Sequence, residues 1–371
     1  MIKSVTNSDL FKIMEEWAPK HLAYDWDNIG LQIGSYSQKT TKVMVTLDVV
    51  EDVVDEAIEK DVGLIIAHHP MLFKPLKQVN IDTHQGRMVR KLLTHNISVY
   101  AAHTNLDSAV GGVNDLLAEP LNLQSTKVLV DVYHEDLFKL AVFVPVTHME
   151  AVLDALNKAG AGHIGNYSHC TFQTQGQGTF KPLEGTNPFI GSKGELEKVK
   201  EVKIETIVPH ALLSKSVQKM IKAHPYEEVA YDIYPLKNQG NGFGLGRIGE
   251  LKEKVTLKSF AEYIKKAYDI PSVRVTGDLT QEVKKIAILG GSGEKYISTA
   301  KKKGADVYIT GDMTFHTAQD AENMGLSVID PGHHVEKVMT EGTRNYLKKK
   351  LTTQNVDVII SEVDTEPFKF I

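Results

Sequence analysis

Val62-Gly63-Leu64-Ile65-Ile66-Ala67, closed by His68-His69-Pro70, decides the fold. A run of this length with no charged side chain is what a strand covered on both faces requires. Upstream, Lys42–Asp48 (KVMVTLD) is a β-branched run, and Glu51–Lys60 between the two has helical spacing, with Val53, Val54 and Ala57 on one side. Downstream, Gly86–His95 (GRMVRKLLTH) reads as a helix and Ile97–Ala102 (ISVYAA) as another strand. Strand–helix–strand units of this size imply right-handed crossovers and a parallel sheet.

The last third repeats this grammar. Lys285–Leu289 (KIAIL) is a strand followed by the turn Gly290-Gly291-Ser292-Gly293 and a helix near Lys295–Lys303. Asp306–Thr310 (DVYIT) and Leu326–Asp330 (LSVID) are strands separated by a helix at Thr317–Met324. A helix at Val338–Lys350 and the strand Val356–Ser361 follow. The middle differs. Leu137–Pro145, Lys203–Pro209 and Glu228–Tyr234 read as strands, Met149–Lys158 and Leu212–His224 as helices, and Cys170–Thr179 as a Gly/Gln/Thr-rich hairpin. Strand-helix-strand-strand then helix-strand is the ferredoxin-like pattern. Asn238–Gly242 reads as flexible punctuation at its exit. The expected architecture is a split α/β domain, residues 1–125 and 237–371, interrupted by an α+β insert at 126–236.

The 371 residues carry 42 Lys+Arg and 47 Asp+Glu, a net charge of −5, with one Cys and 15 His. Mild acidity gives no overall footprint for nucleic acid or an anionic membrane. Lys301–Lys303 and Lys348–Lys350 are short basic runs that suit helix C-termini. The single Cys170 excludes an internal disulfide framework and a thiolate metal site, and is expected to be a small buried residue. No apolar run reaches ~18 residues and the start lacks the apolar core of a signal peptide, so a cytoplasmic protein is expected.

The histidines carry the chemistry. Ala67-His68-His69-Pro70, His103-Thr104-Asn105-Leu106-Asp107 and Gly332-His333-His334-Val335-Glu336 each follow a strand, and they hold five of the 15 histidines. Open α/β sheets place their sites just past the carboxyl ends of strands. A strand-end His taken alone is more often a hydrogen-bonded structural residue, but three clusters at matching positions outweigh that reading. Imidazole with carboxylate suits Zn, Mn, Fe, Co or Ni. His333 and Glu336 share one face of a helix that Asp330 would cap. Adjacent His68 and His69 diverge in extended backbone and so suit two ions, which Asp107 and Glu336 can bridge. The expected site is a dinuclear centre of His68, His69, Asp107, His333 and Glu336, with open positions for water. His103 is a candidate for orienting a ligand or shuttling a proton, and His316 in Gly311–His316 for contacting substrate or shuttling a proton. His334 is expected to face solvent, Asp48 and Asp312 to serve turns, Trp26 to be a buried anchor, and Gly290–Gly293 to be a tight turn or a phosphate cradle.

These segments, with WDNIGLQIG from Trp26 and TGDMTFHTAQDA from Thr310, resemble the Nif-three-like family, whose bacterial members are named GTP cyclohydrolase 1 type 2 homologues. The resemblance runs over nearly the whole chain. Gly160–Phe180 and His224–Leu236 resemble the insert of its longer members, which is similar to PII/CutA-like domains. It implies a layered α/β fold with such an insert, and two divalent ions per subunit, zinc ahead of Fe, Mn, Co or Ni, on the same five residues. Some members separate the last His and Glu by one residue more than here. The family further implies a homohexameric toroid. Three functions follow: a metal-dependent, GTP cyclohydrolase-like hydrolase of a nucleotide-like or other small molecule; a metal storage, delivery or regulatory protein with a ligand-sensing insert; and, least supported, a nucleic-acid-binding ring.

Overall fold

A computed structural model describes residues 4–371. The chain forms two compact units. One comprises the described residues up to Tyr133 with Phe243–Ile371, the other His134–Gly242.

The first unit holds two sheets. β1 (Gly30–Ile33), β2 (Lys42–Thr46), β3 (Leu64–Ala67) and β4 (Ser98–Ala101) combine with the last strand of the chain, Asp357–Ile360, which is β13 in chain order. Their order is β1-β4-β3-β2-β13, with β1 antiparallel to β4 and the others parallel, in the register Val43↔Leu64↔Ser98. The second sheet is built from the far end of β8 (Tyr231–Thr256), β9 (Arg274–Thr276), β10 (Glu282–Ser292), β11 (Val307–Gly311) and β12 (Ser327–Asp330). Its order is β8-β10-β11-β12-β9, with a parallel centre and antiparallel flanks. The N-terminal strands thus build one sheet together with β13 from the end of the chain, and the other strands of the last third build a second.

The deciding stretch behaves as its composition demands. Leu64 and Ile66 pack with Val43, Val45, Ile288 and Ile309 in a core that residues of both sheets share. Ile65 and Ala67 face the opposite way, against Val53, Val54 and Ala57 of the helix Glu51–Glu59 and Leu92 of the helix His84–Thr94. Every residue of β3 is buried, and each fully buried Leu or Ile contributes ~1.5–3 kcal/mol of transfer free energy. Helix Asn7–Trp17 covers the shared core from a capping box between Thr6 and Asp9.

The second unit runs β5 (Gln124–Pro145), helix Met149–Ala159, β6 (Thr171–Phe180), β7 (Glu197–Pro209), helix His210–Ala223 and the start of β8; β5 and β8 each cross a unit boundary. Strand order is β6-β7-β5-β8. The helices cover one face, where Val142, Val152, Leu156, Ile204 and Met220 form its core. Two expectations fail here. Cys170–Thr179 is not a hairpin: β6 is one arm, paired antiparallel to β7 across a long loop. Asn238–Gly242 is not a break but lies inside β8. A Cβ on Gly240 would lie 2.6 Å from the Glu135 carbonyl oxygen, so glycine serves close backbone approach rather than flexibility. Cys170 is half-buried rather than buried. No described helix is long and apolar enough to cross a membrane.

Candidate metal centre

The carboxyl ends of both sheets in the first unit supply one cluster. β3 runs into His68 and His69, β4 into His103 and the short helix Thr104–Ser108 that carries Asp107, and β12 into the 3-10 helix His333–Lys337. Asp330 does not cap that helix by its side chain. It accepts from Gly332 N (2.9 Å) and Met313 N (3.0 Å) and pairs with Arg274, so it fixes the turn instead.

Glu336, 3% exposed, is the hub. Its Oε2 lies 3.2 Å from His69 Nε2, 3.2 Å from His333 Nε2 and 3.7 Å from His68 Nε2. His68 Nε2 lies 3.5 Å from Asp107 Oδ1. Three groups of side chains present atoms close enough for one ion each: His68/Asp107/Glu336, His69/His333/Glu336 and His68/His69/His103. The structure therefore brings together His68, His69, Asp107, His333 and Glu336, with His103 beside them. His316 is exposed on the helix Phe315–Asn323, with Nδ1 3.3 Å from Gln319 Oε1, and belongs to none of the three groups.

Every ring in the cluster is anchored through Nδ1. His68 Nδ1 donates to the Ala102 carbonyl (2.8 Å), and His69, His333 and His103 donate to Asp48 (2.7 Å), Asp312 (2.7 Å) and Asp27 (2.9 Å). Nδ1 anchoring directs Nε2 inward, the arrangement by which carboxylates and carbonyls orient metal-ligating imidazoles. Asp48 and Asp312 are thus not mere turn residues. They follow β2 and β11, so the strand-end rule that marked the histidines also pointed to them. Asp27 carries the weaker signal of the Trp26-Asp27-Asn28 stretch. Its second oxygen accepts from Thr104 N (3.1 Å) and Oγ1 (2.5 Å), fixing the loop that bears His103.

The electrostatics follow from this packing. Burial pushes the His68 imidazolium down to about 3. Burial also opposes charge on His69, but Asp48 and Glu336 outweigh it and raise the ring to about 10. Glu336, with lesser help from Asp312, raises His333 to about 9. Burial and the neighbouring Glu336 hold Asp107 well above the usual carboxylate range. Glu336 is held well below it, because its hydrogen bonds from His333 and His69 outweigh its own burial.

A divalent cation fits the donor set. His68 Nε2 and Asp107 Oδ1 are buried and without a hydrogen-bond partner. Buried polar atoms are seldom left unpaired, and an imidazole nitrogen aimed at a carboxylate oxygen across 3.5 Å suits an ion between them better than a direct bond.

The glycines of β10 serve this cluster. A Cβ on Gly291, whose φ is +62°, would lie 2.8 Å from Glu336 Oε1 and 3.3 Å from His333 Nε2. Gly290 N donates to Asn114 Oδ1 (3.0 Å) and Gly293 N to Thr310 Oγ1 (2.9 Å), so two amides of the supposed phosphate cradle are already engaged. Trp26 is 57% exposed rather than a buried anchor. It stacks on Tyr24 (5.7 Å between ring centres) and meets Phe73 (5.8 Å) and His103 (6.2 Å) edge-on. His334 is half-buried beside Thr365 Oγ1, 3.3 Å from Nε2, and does not simply face solvent. A cavity of about 820 Å³ opens on His69 and His333, with Arg274, Asp312, Phe368 and Lys369 among its lining.

Two α/β sheets with a histidine–carboxylate cluster at their strand ends, able to hold a metal ion, define a protein of the α/β class. A sequence model described as Duf34/NIF3 (NGG1p interacting factor 3) matches residues 5–367, and the chain belongs to that family. It is 53% identical over 373 residues to a GTP cyclohydrolase 1 type 2 homolog of Bacillus subtilis, covering 100% of both chains. It is 38% identical to a protein of that name from Staphylococcus epidermidis, covering 98% of this chain and 99% of that one. The solved structure of a Bacillus cereus protein related to NIF3 superposes with a TM-score of 0.94 at 51% identity, covering 100% of both chains.

Proposed function

We propose that the chain is a divalent-metal-dependent hydrolase acting on a nucleotide-like or other small molecule. The carrying observation is the pair of buried, unpartnered atoms His68 Nε2 and Asp107 Oδ1 facing each other beside Glu336. Two ions are read here, one held by His68 and Asp107, the other by His69 and His333, with Glu336 common to both. Zinc heads the candidates because nitrogen and oxygen donors suit it, and Fe, Mn, Co and Ni share that preference. Bound divalent ions supply Lewis acidity toward water and substrate oxygen.

The residues around them do the rest. Asp48 and Asp312 hold His69 and His333 in orientation. His103, with Nδ1 fixed by Asp27, keeps Nε2 available to carry a proton. It is better placed for this than His316, because its ring centre lies 5.2 Å from that of His68. Arg274 and Lys369 can meet phosphate oxygens in the 820 Å³ cavity, and Phe368 offers a surface for a ring. A cavity of this size opening on the cluster supports turnover of a small molecule over simple metal storage. The name of the relatives, GTP cyclohydrolase 1 type 2 homolog, agrees with a nucleotide substrate.

The middle unit is read as a ferredoxin-like insertion, supported by the strand order β6-β7-β5-β8 with two intervening helices. A homohexamer is carried over from the family resemblance, and light scattering on the purified chain checks it.

The deciding experiment is a turnover screen of metal-loaded protein on nucleotides, phosphoesters and cyclic amides. Hydrolysis lost on chelation and in Asp107→Ala supports the reading. Hydrolysis that survives Asp107→Ala overturns the site. No turnover with metal retained overturns the hydrolase and leaves metal handling.

A further inference from the structure

The middle unit holds a cavity of about 640 Å³ that the metal chemistry does not use. The volume is within the ~300–1,000 Å³ typical of small-molecule sites. Its walls are aromatic: Phe143, Phe180, Phe189 and Tyr226 all line it. Phe180 meets Tyr226 edge-on at 5.6 Å, and Phe189 lies 6.4 Å from the same ring.

A carboxylate is set among these rings. Glu201 on β7 is 8% exposed. Tyr226 Oη donates to its Oε1 at 3.0 Å, and no other described side chain or amide is hydrogen-bonded to it. Opposite lies Gly178 of β6, where any side chain would run into Glu201 Oε2. Glycine there leaves the second oxygen its room. A carboxylate enclosed by rings is costly unless something donates to it.

The surrounding charge points the same way. Glu227 and Glu228 also line the cavity, against the single base Lys203. Lys203 is itself drawn to Glu205, 3.3 Å away. Glu227 Oε1 accepts from Asn187 N (2.9 Å) and so ties the loop bearing Phe189 to this wall. The lining thus carries an excess of carboxylate among apolar rings. An anionic ligand would meet repulsion here. A cation gains twice, through a charge-assisted hydrogen bond and through the faces of the rings.

We propose that this cavity is a binding site for a small organic cation with a flat aromatic body, its ammonium or amidinium group placed on Glu201 between Tyr226 and Phe189. The site is separate from the metal cluster in sequence and in chemistry, so the insert would sense its own ligand.

Three probes with one ring system test this on the full-length protein: tryptamine (cationic), indole (neutral) and indole-3-acetate (anionic), titrated by calorimetry before and after chelation of metal. Tryptamine is expected to bind at least about tenfold more tightly than indole-3-acetate, with indole between, and chelation should change nothing. Glu201→Gln keeps the size of the side chain and its acceptor for Tyr226, and should reduce the tryptamine preference to that of indole. Phe189 is 54% exposed, so Phe189→Ala is a change the fold tolerates, and it should weaken all three probes together. Equal affinity for the three probes, or unchanged tryptamine binding in both variants, overturns the proposal. So does absence of binding, including the case in which Phe189→Ala lowers the oligomer mass, which would make the cavity a contact between copies.

Discussion

His68 Nε2 and Asp107 Oδ1 face each other across 3.5 Å, both buried and neither hydrogen-bonded. Leaving two such atoms unpaired costs ~1–3 kcal/mol each. The proposed ion would remove that cost, and Glu336 lies against both halves of the cluster. On the proposed two-ion reading, Glu336→Ala should abolish binding of both ions, whereas Asp107→Ala should leave one. Elemental analysis after reconstitution and desalting checks this. Retention of two ions per chain by Glu336→Ala would refute the shared role.

The carboxylates behind the rings give a second expectation. Asp312 touches His333 through Nδ1 (2.7 Å) and leaves Nε2 for the ion. Asp312→Ala removes no ligand but frees the ring to turn. Losing such a partner typically costs ~10–100-fold in metal affinity. Competition with a chromophoric chelator should show that loss while the circular dichroism of the protein stays unchanged. Wild-type affinity in the variant would make Asp312 a bystander.

Much of this was legible because apolar runs and strand ends obey simple rules. β3 was readable as a strand covered on both faces since each of its residues has a core to face. The three histidine segments were readable since each follows a strand. What periodicity could not give was the pairing of β2 to β13, which are distant in sequence, and hence the division into two sheets. Glycines are harder to read. Gly240 reads as a break and Gly290–Gly293 as a tight turn or a cradle, yet Gly240 and Gly291 mark close packing whose partner, Glu135 or Glu336, is remote in the chain. The exposure of Trp26 is not legible locally, because Tyr24, Phe73 and His103 meet it from different segments.

Gly291 converts that lesson into a test. An alanine there needs a positive φ, costing ~1–2 kcal/mol, and places a methyl group 2.8 Å from Glu336 Oε1. Gly291→Ala should fold with a lowered Tm and lose metal out of proportion to that loss. Gly194 has φ +83° and nothing within 4 Å of an added Cβ, so Gly194→Ala is the control with strain but no clash. Equal metal content in the two variants would show that Gly291 serves the backbone alone.

The pH dependence of the middle unit rests on His224, which is 7% exposed. Its Nε2–H donates to the Phe143 carbonyl (2.9 Å), and its Nδ1 accepts from Tyr226 N–H (3.1 Å). Both bonds together require the neutral ring. Burial lowers its pKa, only partly offset by the Phe143 carbonyl and Glu201. The unfolded chain therefore binds the proton more readily than the folded one, and stability rises with pH wherever that difference holds. The contribution is full above the unfolded value of ~6.5 and declines as pH falls from there toward the depressed folded value. Hydrogen exchange of β7 amides, compared at pH 7.5 and pH 5.5 after correction for intrinsic rates, should show weaker protection at the lower pH. In His224→Gln, which cannot gain a proton, protection should depend less on pH. A wild-type profile that is flat, or that matches the variant, would rule out His224 as the titrating group.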